Sequence, residues 1–326
     1  MNGGRTAPWT AWLNRLGPAL GLAAVFLLFA ALIGPERWAT WGNLETILRQ
    51  TTIVGTAALG ATLVILSGGI DLSAGSVVAL STTVIAALLA WAGWNPLAAA
   101  AAGVLAGALC GLANGLLVTR LRVVPFIVTL GTLLAIRGAA KGLGREQKVD
   151  APATWLNEIL RQLPDERRWM LVPPGVWMML LLALATGAML RFTRLGRHLF
   201  AVGSNEPAAR LCGVAVDRVK VAVYTLGAAF AGVAGLMQFS RFRGVGDPTS
   251  SVGLELDVIA AVVIGGGSLS GGEGSVAGTM VGALIMAVIR AGCFQLGISN
   301  WIQEIVTGAI IVAAVALDRL RHRRAA

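Results

Sequence analysis

Long runs without a single charge divide this chain. They extend from Leu16 to Pro35, Gln50 to Ile70, Leu72 to Thr119, Trp169 to Leu190 and Val221 to Ser240, and about 20 apolar residues suffice for a helix to cross a bilayer. The Leu72 to Thr119 run predicts two helices, because "WAGWNP" at its middle supplies a turn with tryptophans of the kind that favour a membrane interface. Four shorter runs, Val123 to Ile136, Val258 to Gly272, Gly274 to Ile289 and Ile305 to Leu317, predict spans that recruit flanking polar residues or are broken. The pattern therefore predicts an all-α, polytopic membrane protein of about ten transmembrane helices. Residues 18–317 form one transmembrane domain, between a cytoplasmic segment (1–17) and a basic cytoplasmic tail (318–326).

Composition agrees: 56% hydrophobic and 13% charged residues, with a mean hydropathy of +0.76, exclude a soluble domain of 326 residues. Arg5 and Arg15 before the apolar run from Leu20 give the N-terminus some look of a signal peptide. "FAALIGPER" lacks an Ala-x-Ala cleavage site, so an uncleaved first helix is expected. An even span count puts both ends on one side, and "DRLRHRRAA" names that side as the cytoplasm. The loop 191–220, with six Lys/Arg against two acids, falls on the same side. Summed over all loops the bias is slight, 12 Lys/Arg outside against 14 inside, because the long loop 137–168 alone holds seven.

The net charge of +10 flanks apolar helices and does not interleave with aromatics, so the partner it suggests is anionic lipid headgroups and not nucleic acid. Cys110, Cys212 and Cys293 lie far apart without metal-ligand spacing and read as small fillers; no metal site is expected. Catalytic residues are not expected either. Both histidines, His198 and His322, sit in charged flanking segments, away from Ser73, Ser268 and Ser270. "GGGSLSGGEGS" (265–275) has Glu273 where a phosphate-binding loop needs lysine.

Glycine carries most of the remaining pattern. Gly103, Gly107, Gly111 and Gly115 recur every four residues and stack on one helix face, which suits close packing and leaves a moving gate as the rarer alternative. "GGIDLSAGSV" from Gly68 and "GGGSLSGGEGSV" from Gly265 resemble each other; the likeness fits either an internal repeat of the kind found in transporters or two similar turns. Asp71 lies in the first of these segments. A charge at the bilayer centre costs roughly 2.5–3.5 kcal/mol on insertion scales, so it must be compensated. Its carboxylate and the Ser73 hydroxyl can accept from free N–H groups at a helix start; a solute contact or a gating hydrogen bond are the alternatives.

In "GRHLFAVGSNEPAARLCGVAVDRVK" (196–220), Ser204 or Asn205 can cap a short helix that Gly213 ends. "NEPAARLCG" resembles the Glu-Ala-Ala…Gly loop of bacterial ABC-importer permeases. Together with "SGGIDLSAGS", "FIVTLGTLLAIRGAA" and "ELDVIAAVVIGGGSLSGGEGSVAGT", it is similar to the ribose-type sugar permeases, in order from about Trp41 to Leu317. The resemblance implies the membrane subunit of an ATP-driven sugar importer, without a cofactor of its own, in the bacterial inner membrane. ATP and Mg would sit on a cytoplasmic ATPase. A periplasmic sugar-binding protein and a second permease copy or homologue would be the other partners.

Carried residue by residue, the resemblance makes Glu206, Pro207, Ala208, Ala209, Arg210 and Gly213 the ATPase-coupling element. Pro207 departs from the family pattern and suggests a later helix start. Gly68, Gly69, Asp71, Ser73, Gly75, Gly265, Gly266, Gly271 and Gly272 become permease-core positions, and Arg241, Arg243 and Asp247 candidate contacts for the binding protein. Uncharged groups such as Thr51, Thr52, Ser81, Thr82, Asn114, Gln238 and Asn300 suit either a neutral polyhydroxylated solute or helix packing. A nucleoside remains an alternative cargo, and a secondary transporter an alternative machine.

Overall fold

The computed structural model of the chain describes residues 8–323; residues 1–7 and 324–326, parts of the expected terminal segments, lie outside the described residues. The helices are α1 (Pro8–Ile33), α2 (Pro35–Trp38), α3 (Trp41–Leu66), α4 (Ala74–Ala90), α5 (Pro96–Leu121), α6 (Pro125–Leu143), α7 (Pro174–Phe192), α8 (Arg194–Ser204), α9 (Glu206–Leu211), α10 (Val216–Arg241), α11 (Leu254–Ile264), α12 (Val276–Gln295) and α13 (Asn300–Arg323). Two two-residue strands, β1 (Val149–Asp150) and β2 (Val245–Gly246), pair antiparallel, with Val149 opposite Gly246.

Local chemistry sets many of the helix starts. Pro35, Pro96, Pro125 and Pro174 each open a helix, where the missing N–H costs nothing. Thr40, Asn95, Thr193 and Ser275 accept from backbone N–H groups of the following turn.

Each of the nine charge-free runs forms a helix, and Leu72 to Thr119 forms two, α4 and α5. Among the described residues six helices, α3, α5, α6, α7, α10 and α12, are long and apolar enough to cross a membrane, and the chain is an all-α polytopic membrane protein. The run from Trp169 becomes regular helix only at Pro174, because Asp165–Met170 forms a 3-10 turn ahead of two prolines. At 11 residues α11 is about 16 Å long and too short to span.

Burial separates centre from rim. The spanning window of α3 is 83% buried and that of α6 only 11%. Leu134, Leu184 and Val312 on the outer helices turn apolar faces outward, the arrangement a lipid environment demands. At the centre, α10 packs against α5, α3 and α4, with Tyr224, Met237 and Phe239 fully buried.

At one end of the bundle the segment 144–173 folds over the helix tips. The Leu160 N–H donates to Ser240 Oγ at 2.8 Å, Arg49 Nε donates to the Leu160 carbonyl at 2.6 Å, and the Leu163 N–H donates to Glu45 Oε1 at 2.9 Å. From this end residues 242–253 descend along α4. Gly246 lies against the backbone of Thr82 and Thr83, and the Ser251 carbonyl lies against Gly75. Arg137 of α6 holds the descending segment by donating to the carbonyls of Pro248 and Ser250. Consequently α11 starts part-way along the bundle, which explains the short apolar run after Val258.

Candidate coupling and transport site

At the opposite end the chain between α7 and α10 forms two helices, α8 and α9. The sequence predicted one. In α8, Leu195 is half-buried and Leu199 and Val202 are buried, while Arg194 and Arg197 are exposed; the one-sided register was readable but was masked by the charges between. Helix α9 begins at Glu206, ahead of Pro207, so the proline does not delay it: Asn205 caps it by accepting from the Ala208 N–H at 3.0 Å. Gly213, at φ +82, ends it, with its N–H donating to the Arg210 carbonyl and that of Val214 to the Ala209 carbonyl.

Glu206 pairs with Lys220 of α10 at 2.6 Å and with Arg210 at 3.3 Å, and Arg210 also meets Asp217 at 3.0 Å. The hydrogen bond from the Lys220 ammonium, against a smaller effect of burial, holds the Glu206 carboxyl below the usual glutamate range. Among the coupling residues Pro207, Ala208, Arg210 and Gly213 are exposed and Ala209 is buried. Sequence reasoning missed Leu211, whose side chain is 90% exposed at the tip. Cys212 beside it is exposed and so is no filler, whereas Cys110 is half-buried and Cys293 buried.

The two glycine-serine segments are the breaks between α3 and α4 and between α11 and α12, and they touch. The Gly272 N–H donates to the Leu66 carbonyl at 3.0 Å, and Gly271 lies against Gly68. Gly271 and Gly272 take φ +87 and +76 in succession, which side chains other than glycine's resist. Helix α8 closes the cluster, with Gly203 seated on Leu66 and Gly272, and Ser204 on Gly272. Of the remaining core glycines, Gly69 lies against the Tyr224 ring, Gly75 against Ser251 and Glu255, and Gly265 against Gly278, while nothing approaches Gly266.

Asp71 is buried in the first break. Its Oδ1 accepts from the Ser73 N–H at 2.8 Å and the Ser73 hydroxyl at 2.6 Å, and Asn114 of α5 donates to Ser73 Oγ at 2.9 Å. The carboxylate thus accepts only from Ser73, and no side chain accepts from the first turn of α4; Ser73 donates to Asp71 instead of accepting from the backbone. Asp71→Asn retains an acceptor oxygen and is expected to keep the melting temperature within a few degrees. Asp71→Ala leaves the buried Ser73 N–H and hydroxyl without that acceptor and is expected to cost about 1–3 kcal/mol; thermal unfolding of the purified variants checks the difference.

Gly103, Gly107, Gly111 and Gly115 are all buried, facing Ser81 and Ile85 of α4 at the first position and α10 at the other three. Of the candidate binding-protein contacts, Asp247 has partners in its own segment and in Lys148. The Asp247 carboxylate accepts from the Thr249 N–H and hydroxyl at 2.9 and 2.7 Å and meets Lys148 at 3.4 Å. Arg241 is exposed and lines a cavity. Arg243 is exposed, and its carbonyl accepts from Asn157.

That cavity, about 430 Å³, lies between α3, the end of α10, α11, α12 and the start of α13. Gln50, Gln238, Arg241, Asp257, Arg290 and Asn300 give it a polar lining. Asp257 is buried and ion-paired with Arg290. Of the scattered neutral groups, the hydroxyls of Thr51, Thr52 and Thr82 donate to carbonyls of their own helices and Ser81 to Gly232. Gln238 and Asn300 reach the cavity.

Residues 43–315 match the family described as the branched-chain amino acid transport system / permease component. The chain is 38% identical over 312 residues to the ribose import permease protein RbsC of Escherichia coli strain K12, covering 96% of each. The chain belongs to the ribose-type ABC-importer permeases. It is also 35% identical to the L-arabinose ABC transporter permease protein AraH of Azospirillum brasilense, over 93% of this chain and 88% of that one. The xylose transport system permease protein XylH of E. coli K12 shares 35%, over 92% and 93%. No solved structure matches. All three relatives are named as transport permeases, and the work of this permease is transport, not catalysis.

Proposed function

We propose that the permease is the membrane subunit of an ATP-driven importer for a small polyhydroxylated solute, delivered by a periplasmic binding protein. The observation that supports this best is the contact of α8 with both helix breaks, immediately before an exposed, capped and ion-paired α9. A partner that displaces α9 moves α8, and α8 bears on the points where α3 and α11 stop. Rigid helices pass that displacement to α4 and α12, giving alternating access. ATP and Mg belong to the partner ATPase. A second permease copy or homologue completes the pathway.

Two features support reading the α8–α9 end as cytoplasmic, although Lys141, Arg145, Lys148, Arg161, Arg167 and Arg168 lie toward the other end. Arg120, Arg122, Arg191, Arg194, Arg197 and Arg218 gather around the α8–α9 end, whereas exposed tryptophans, Trp41, Trp91, Trp94, Trp155, Trp169 and Trp301, gather at the other. Basic residues favour the cytoplasm and tryptophans mark an interface, so α9 faces the ATPase in a bacterial inner membrane. Helix α1 runs parallel to α12, with Gly21 beside Ile285 and Gly292 beside Phe29, and α13 returns from the far end. On this reading the start of α1 and the end of α13 are on the cytoplasmic side. The binding protein meets segment 144–173 and Arg243.

Affinity purification of the tagged chain from native membranes tests the reading. The wild type is expected to bring down an ATPase. Leu211→Asp, which puts a charge on the bare tip of α9, is expected to lower that recovery at least tenfold with normal chain levels. Wild-type chain recovered alone would overturn the importer reading.

A further inference from the structure

The central cavity is rich in charged donors and poor in charged acceptors. Asp257 is only 2% exposed, while Arg290, its ion-pair partner, is 48% exposed, so the pair shows the cavity a guanidinium and hides the carboxylate. Arg241 opens into the same space and makes no hydrogen bond or ion pair among the described residues. Its charged neighbours, Arg49 and Arg290, are both cations, and Arg49 Nε is occupied by the Leu160 carbonyl. Glu304 lines the adjoining groove toward Thr307, and no ion pair joins it to either arginine among the described residues. Two solvent-accessible guanidinium groups against one hidden carboxylate leave about one positive charge facing the cavity, ready to donate charge-assisted hydrogen bonds to an anion. The cavity volume is within the range of small-ligand sites. The Gln50 and Gln238 amides supply the uncharged donors and acceptors that hydroxyl groups need.

We propose that this cavity is the holding site for the carried solute and that it takes a polyhydroxylated molecule bearing one anionic group, a carboxylate or a phosphate, which binds Arg241. The proposal rests on the transport reading and narrows its cargo to an acid sugar or sugar phosphate. Asp257 acts through Arg290 as a positioning residue, fixing the plane of the guanidinium that meets the solute.

The test is thermal unfolding of the full-length chain in nanodiscs of phosphatidylcholine, titrated with D-ribonate, D-ribose 5-phosphate and D-ribose. At least one anionic probe is expected to raise the melting temperature saturably, at concentrations at least tenfold below those that ribose needs. Arg241→Gln is expected to erase the preference, and Arg241→Lys to retain part of it, with both unliganded variants melting near the wild type. If Arg241→Gln does not fold, loss of the preference in wild type at high salt replaces it as the readout. Ribose binding as tightly as both anionic probes, no shift with any probe, or a preference that survives the loss of Arg241 would each overturn the proposal. An Arg241-dependent shift produced by adding phosphatidylglycerol to the nanodisc, with none from the soluble anions, would identify the occupant as a lipid headgroup and overturn it too. Recovery of the ATPase with the same chain is scored separately, so an importer with neutral cargo remains distinguishable from a failure of the importer reading.

Discussion

Gly203→Val is expected to abolish uptake while the chain still folds and still recovers its ATPase. A Cβ at Gly203 would be driven onto the Leu66 carbonyl and to 2.5 Å from the Gly272 nitrogen, the two groups whose 3.0 Å hydrogen bond ties the breaks together. Backbone cannot retreat as a flexible side chain can, so α8 must lift away from both breaks at once. Helix α9 is held independently, by the Asn205 cap and by Glu206 against Lys220, so the docking surface survives. Solute uptake in inverted-topology-controlled vesicles, measured beside ATPase co-purification, is expected to show at least a tenfold loss of uptake with unchanged recovery. Gly203→Ala is expected to fall between. Full uptake in the valine variant would show that α8 does not transmit the movement.

Much of this architecture was legible because the bilayer imposes it. A run without charge becomes a helix when no water is present to satisfy its backbone, and all nine runs did, the longest as two helices. The breaks were legible for a related reason, since two glycine-serine clusters inside apolar sequence mark places where a helix stops. Their contact with each other was not, because it joins residues 66–68 to residues 271–272 across most of the chain. Segment 242–253, which holds the candidate contacts Arg243 and Asp247, runs along α4, and that course depends on Arg137, more than a hundred residues away. The coupling motif was visible as a string of residue types, but the importance of α8 and the bareness of Leu211 come from packing. The cavity was the least legible feature: residues from Gln50 to Gln303 converge on it, and no local pattern announces that. Arg241, at the end of α10, had every sequence mark of a solvated loop charge.

Gly111→Leu is expected to prevent the permease from accumulating in the membrane. Gly111 is fully within the interface between α5 and α10, where an added Cβ would lie 2.6 Å from the Ala228 Cβ and 2.9 Å from the Tyr224 carbonyl carbon. A leucine there cannot choose a rotamer that avoids the clash, because the Cβ itself is misplaced, so the two helices must separate. Separation also empties the contacts at Gly107 and Gly115, which rest on Gly232 and Val221 of the same helix. Overpacking a well-filled site costs about 1–3 kcal/mol and sometimes more, and loss of the neighbouring contacts adds to it, against a total stability of about 5–15 kcal/mol. Gly131→Leu makes the same chemical change on α6, where nothing lies within 4 Å of the added carbon. Immunoblots of membranes are expected to show less than a tenth of the wild-type chain for Gly111→Leu and an unchanged amount for Gly131→Leu. Equal amounts of the two would mean that α5 can move off α10 without unfolding, and the stacked glycines would then be surfaces of a sliding gate and not of a fixed core.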